Sequence, residues 1–169
     1  MASERVVALK QELDELSLEW EPSTGEMTDE EEAVFEEAAA NFRAAGPELL
    51  DEATPHLWAY YRKERGRSSA EEREEWEIPE LDEADGADAI WDHVSLELAP
   101  MLTIGGEDAF EPAPSYLSFE GNVPWEREHG LQLVFEHGLR LGKLGPCDGH
   151  NTNAYAYDDE SLLGVVFVE

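Results

Sequence analysis

The chain has 169 residues, and its 41 Asp and Glu against 11 Lys and Arg leave a formal net charge of −30, a field that repels nucleic acid and anionic membrane surfaces, both of which are bound mainly through Lys and Arg. Hydrophobic residues still make up 41% of it, with five Trp, five Tyr and six Phe, which is too much apolar material for a disordered chain. Cys147 is the only cysteine, which excludes an intramolecular disulfide and points to no oxidising compartment.

The acidity is not a tail. Fourteen acidic residues fall in positions 1–50, fifteen in 51–100 and twelve in 101–169. Spread over the ~8,000 Å² that a protein of this mass exposes, one net charge falls in every ~280 Å², and excess charges stand about 17 Å apart. That exceeds the Debye length of ~8 Å at physiological salt but not the ~30 Å at 0.01 M.

One domain over 1–169 is expected, in four parts. Residues 1–27 form an N-terminal segment in which Glu4, Arg5, Lys10 and Glu12 interrupt any secretory apolar core. "LSLEWEPSTGEM" alternates and then turns, which predicts a short strand or hairpin around Leu16 to Trp20. No apolar run approaches the ~18 residues of a membrane span, so cytoplasmic residence is the expectation.

Residues 28–78 read as helical. Thr28 and Glu31 make a capping box, and Val34, Phe35, Ala38, Ala39 and Phe42 recur on one face behind it. Gly46-Pro47 should end that helix and start a second, with Leu50, Ala53, Leu57 and Tyr61 on one stripe and Trp58 beside it. Pro55 should kink or restart it, since the ring clashes with the carbonyl four residues back. Arg62, Lys63, Arg65 and Arg67 crowd its C-terminal end, where cations offset the negative end of the helix dipole; the alternative is a small basic docking spot on an acidic body. A short third helix is expected from Ser68 or Ser69 through "AEEREEW".

Residues 79–89 read as an acidic connecting loop, with Pro79 and Gly86 among carboxylates. Residues 90–169 turn mainly to period two. Val94, Leu96 and Leu98 alternate with polar residues, as do Leu117 and Phe119, which predicts half-buried strands. "GGEDAFEPAPS" between them should be an exposed loop. "LQLVF" and "LRLGKL" flank Glu136-His137-Gly138 and predict a hairpin that pairs 131–135 with 139–143. "LLGVVFVE" suits a strand buried on both faces. Helices first and strands afterwards argue for an α+β domain, its N-terminal helices packed on one face of an antiparallel β-sheet built mainly by the C-terminal half.

The polar residues with chemical potential gather around that hairpin: Trp125, Glu126, Glu128 and His129 before it, Asp148, His150 and Asn151 after it. If 126–129 are extended, Glu126 and Glu128 share a face, with Arg127 and His129 on the other. Antiparallel pairing should bring the two corners together. Glu126, Glu128 and Asp148 would supply hard oxygen ligands for Mg²⁺ or Ca²⁺, and His129 and His150 would shift the preference toward Zn²⁺ or Mn²⁺. The spacing matches no established ligand signature. The structural alternative has His129-Gly130 marking a strand entry or bulge, Asp148-Gly149 a turn, and Trp125 a core or edge anchor. Asp148 beside Cys147 opposes thiolate formation, so a nucleophilic cysteine is disfavoured.

The segment "YLSFEGNVPWEREHGLQLVFEHGLRLGKLGPCDGH" resembles a family of bacterial domains of unknown function, of the domain-of-unknown-function 6985 type, through a W-[DE]-x-E-H-G-L-x-[LV] strand and a returning D-G-H turn. Trp125, Glu126, Glu128, His129, Gly130, Leu131, Asp148, Gly149 and His150 are the matching positions, and "NFRAAGPELLDEATPHLWAYYRKE" is similar to the family's amphipathic helices, so the resemblance spans about residues 28–157. It implies no established activity; some relatives look like immunity or accessory proteins of bacterial competition systems. Two roles follow as expectations. One is a non-enzymatic acidic domain that captures a basic protein, with no catalytic residue. The other is a divalent-metal-dependent hydrolase or sensor at the Glu/His/Asp cluster.

Overall fold

The computed structural model describes residues 28–46, 48–97, 100–106 and 108–169, together with Ala8 and Gln11. The strand expected around Leu16 to Trp20 lies outside the described residues, as does Leu98. Three helices come first: α1, Asp29–Ala45; α2, Glu48–Arg67; and α3, Ala70–Glu75. Two 3₁₀ turns, Glu83–Asp85 and Ala87–His93, lead into the strands β1 (Ser95–Leu96), β2 (Met101–Ile104), β3 (Ser115–Val123), β4 (Glu126–Glu136) and β5 (Arg140–Gly145). A short helix α4, Asn153–Tyr157, and a 3₁₀ turn, Glu160–Leu162, follow.

Capping chemistry sets the helix starts. Thr28 accepts from the Glu31 amide at 3.2 Å while the Glu31 carboxylate accepts from the Thr28 amide at 2.8 Å, and Ser69 and Glu72 repeat the arrangement before α3. Gly46, at φ +58, closes α1 by donating its amide to the Phe42 carbonyl. At Pro55 the expected restart is corrected: α2 runs through it as one helix. Leu50, Ala53, Leu57, Trp58, Tyr60 and Tyr61 are buried on both sides of the proline, so packing holds the helix together where local propensity alone favours a break.

All strand pairs are antiparallel, in the order β1-β3-β4-β5 with β2 also on β3. β1 and β2 lie end to end along one edge of β3, pairing Leu96 with Gly121 and Met101 with Ser118. Between them stands Pro100, which has no amide to donate. The hairpin forms with a register shifted from the expected one. Glu136 pairs with Arg140 and Phe135 with Leu141, and an irregularity after Val134 sets Leu133 against Leu144. His137 takes φ +49 and Gly138 φ +69, so the chain turns through His137-Gly138-Leu139, one residue later than the spacing predicts.

The helices cover one face of the sheet, as an α+β domain of this order requires. Phe42 stacks on Phe119 at 5.3 Å and meets Phe135 edge-on at 5.4 Å. Leu117, Phe119, Leu131, Leu133, Leu141 and Leu144 join α2's apolar stripe in one core. Gly138 lies so close to α1 that an added Cβ would sit 2.2 Å from the Ala38 carbonyl.

Three strand expectations are corrected. Residues 90–93 belong to the 3₁₀ turn Ala87–His93, because the indole of Trp91 donates to Thr54 Oγ1 at 2.9 Å and holds that turn against α2. β3 is buried on both faces over 115–119, since the chain at 108–114 and that after β5 cover the face away from the helices. Those two segments meet where Thr152 Oγ1 donates to the Phe110 carbonyl at 2.7 Å. The C-terminal "LLGVVFVE" is no strand: a 3₁₀ turn, then Gly164 at φ +74, break its extended run, and it is pinned by Leu144's amide on the Val166 carbonyl and by Asn153 Nδ2 on the Val165 carbonyl, both at 2.8 Å.

Candidate functional site

The two polar corners adjoin through the backbone and part at the side chains. The Cys147 amide donates to the His129 carbonyl at 3.1 Å, so pairing brings the ends together as expected. The irregularity that sets Leu141 against Phe135 and Lys143 against Val134 breaks the alternation and leaves Lys143 on the sheet face away from the helices, opposite to its neighbour Leu144, and Asp148 turns after it.

On that face Lys143 is 1% exposed, with each of its three donors answered. It gives one hydrogen bond to Asp148 Oδ1, one to Gln132 Oε1 at 3.1 Å and one to the His150 carbonyl at 2.9 Å. Gln132 Nε2 donates onward to Ser118 Oγ at 3.0 Å, and the His150 amide donates to Asp148 Oδ1 at 3.0 Å. Burial pulls the Lys143 ammonium below the usual lysine range, and the Asp148 carboxylate opposes that shift. The His150 ring lies 4.9 Å from Tyr155, and Asn151 is buried with its amide toward Glu111 Oε1. Asp148, His150 and Asn151 therefore serve a satisfied buried ion pair and the wall around it. Lys143 itself escaped sequence reasoning. Its only signal was a lysine at an inward position of "LRLGKLG".

Glu126, Glu128 and His129 lie on the other side, in a cleft of about 390 Å³ also lined by Glu64, Arg67, Ser68, Glu72, Trp76, Trp125 and Pro146. Glu126 accepts from the amides of Glu128 and His129 at 2.8 and 2.9 Å and stands 3.2 Å from His129 Nδ1. This curl, followed by Gly130 at φ +61, puts His129 beside the Glu126 carboxylate instead of on the opposite face. Arg127 reaches the Trp76 carbonyl at 3.0 Å and ties β4 to the end of α3. Trp125 is 1% exposed and packs edge-on against Tyr61 at 5.3 Å, the anchor expected of it. Its Nε1, buried, has no hydrogen-bond partner among the described residues.

The expected five-residue metal cluster does not assemble. Among the described residues no three His, Cys, Asp or Glu side chains are grouped to hold a metal ion, because Asp148 is drawn to Lys143 and His150 to Tyr155. Cys147 Sγ lies 3.3 Å from Glu120 Oε1, and burial followed by that carboxylate pushes the thiol up to about 11, the direction expected from its acidic setting.

The excess of carboxylates makes the surface acidic, and most cations of the described residues are engaged with groups of the same chain. Arg62 pairs with Glu83, Arg65 with Glu80 and Arg67 with Glu64; Lys63 donates to the Val168 carbonyl at 2.7 Å. Arg73 holds the Arg65 and Ser68 carbonyls, Arg127 that of Trp76, Arg140 the Glu136 carboxylate, and Lys143 Asp148. The basic cluster at the end of α2 thus meets the acidic 79–89 segment and the C-terminal chain, which offers no free basic spot. Exposed carboxylates such as Asp29, Glu30, Glu32 and Glu36 along α1 have no comparable supply of cations among the described residues.

The arrangement defines an acidic α+β domain, a helical layer over one face of a five-stranded antiparallel sheet, with an indole-walled, carboxylate-rimmed cleft at the end of that sheet. The chain belongs to the family described as Domain of unknown function (DUF6985), whose model matches residues 5–151. That span includes every residue lining the cleft and stops before α4. No curated protein and no solved structure matches the chain. No helix among the described residues is long and apolar enough to cross a membrane.

Proposed function

We propose that this chain is a protein-binding domain of the bacterial cytoplasm, immunity- or accessory-like, that acts by association and captures a basic protein. The observation carrying this reading is the disposition of charge. The net charge is −30, and eight of the nine Lys and Arg residues in the described chain hold carboxylates or carbonyls of the same molecule. A surface of this sign speeds encounter with a positively charged partner and rejects nucleic acid and anionic lipid. The hard-oxygen metal reading has no comparable support, since its ligands divide between two faces of the sheet.

The test is recovery of a partner from the native host followed by reconstitution from purified components. A stoichiometric complex with a basic protein that survives 150 mM NaCl is the expected result. Only substoichiometric material that dissociates at that salt would mean that the acidity serves solubility, and the reading would fall.

A further inference from the structure

We infer that the cleft between Trp76, Trp125, Glu126 and Glu128 accepts one arginine side chain of a basic partner protein. This deepens the proposed function, rests on it, and names the point of insertion. Four carboxylates line the cleft, those of Glu64, Glu72, Glu126 and Glu128, against the single guanidinium of Arg67. Three of them are already engaged: Glu64 with Arg67, Glu72 in the Ser69 cap, and Glu126 on two backbone amides. The Glu128 side chain is exposed and has no partner among the described residues, so a cation entering the cleft meets an uncommitted carboxylate.

The walls point the same way. Trp76 is half-buried and leaves part of its indole open to an entering cation, which an aromatic face attracts, while the buried Trp125 backs the cleft. The cleft's volume of about 390 Å³ falls within the ~300–1,000 Å³ typical of small-ligand sites. Arginine fits better than lysine because a planar guanidinium stacks on indole while forking onto a carboxylate, whereas an ammonium is a strongly hydrated point charge.

Trp125 lines the cleft and its Nε1 is a buried donor with no acceptor among the described residues. Its N–H signal therefore reports a cation bound at the rim through a change in its surroundings and needs no new bond to the ligand.

The experiment titrates the whole chain with N-acetyl-arginine N-methylamide, with the N-acetyl-lysine analogue as comparison, and follows the five Trp indole N–H signals by ¹H–¹⁵N NMR. Saturable movement of the Trp76 and Trp125 signals is expected, with Glu128→Gln weakening the arginine probe about three- to tenfold, as loss of ~0.7–1.4 kcal/mol gives. No saturable shift at Trp125, or lysine binding as tight as arginine, overturns the assignment. If a stoichiometric basic partner is reconstituted while the arginine probe leaves Trp125 unmoved, the cleft assignment fails and the broader reading stands. If the probe binds as described and no basic partner forms a stoichiometric complex, the arginine site stands as a small-ligand site and its attribution to a protein partner is overturned.

Discussion

The Tyr60 hydroxyl donates a 2.7 Å hydrogen bond to the carbonyl of Gly130, and this one contact fixes α2 to the entry of β4, beside the cleft. Only glycine suits that position, because the backbone holds φ +61 and an added Cβ would stand 2.3 Å from the Gly121 carbonyl oxygen. Gly130→Ala combines left-handed strain of ~1–2 kcal/mol with overpacking of ~1–3 kcal/mol, so a loss of about 2–4 kcal/mol is expected. Urea unfolding measures it, and a loss below 0.5 kcal/mol, within the range of ordinary surface substitutions at about ±0.5 kcal/mol, would contradict this backbone geometry.

Stability should fall under alkaline conditions. Burial raises Tyr60, with the charges of Glu126 and Glu64 adding to it; burial pushes Tyr116 up to about 12 and Cys147 up to about 11. Each is an acid whose folded pKa exceeds its unfolded one, so its contribution is whole below the unfolded value of about 8.5 for Cys or 10 for Tyr and is lost as pH rises through the folded value. Lys143 and Lys63, both lowered by burial, work in the opposite sense over part of that window, but two groups oppose three. The urea midpoint is expected to be lower at pH 11 than at pH 8, and Tyr60→Phe should flatten the slope. An unchanged midpoint would refute the buried phenols.

Asp148→Asn should strand the Lys143 ammonium. Loss of a partner from a wholly buried ion pair costs ~3–5 kcal/mol; the Asp148 side chain is 32% exposed, and an expectation of about 1–3 kcal/mol follows. A double-mutant cycle with Lys143→Met should show coupling of about 1–2 kcal/mol. Strict additivity would show that the two groups do not interact in solution.

The acidic surface predicts a salt response opposite to that of a protein held by surface ion pairs. Raising NaCl from 10 to 150 mM shortens the Debye length from ~30 to ~8 Å, below the ~17 Å mean spacing of excess charges obtained from the surface scaling. The melting midpoint should rise by about 2–4 °C, the shift that ~1 kcal/mol gives in a domain of this size. A flat or falling midpoint would refute self-repulsion as a destabilising force.

Sequence alone determined what depends on near neighbours. The Thr28 cap, a third helix starting at Ser68 or Ser69, the α1 stripe through Phe42, the hairpin about His137-Gly138 and the helices-then-strands order follow from i, i+3 hydrogen bonds and from periods of 3.6 and two. Tertiary structure alone decided what depends on distant residues. Pro55 stays helical because both flanks are buried, the tail from Leu162 lies irregular because Asn153 and Leu144 claim its carbonyls, and the seven polar residues around the hairpin divide because a lysine buried on the far face takes Asp148. A residue's spacing in the chain fixes which way its side chain first points. Which oppositely charged or apolar group waits there is set by chain segments tens of residues away, so the indole cleft and the Lys143 pair emerged only when the helices and the sheet were brought together.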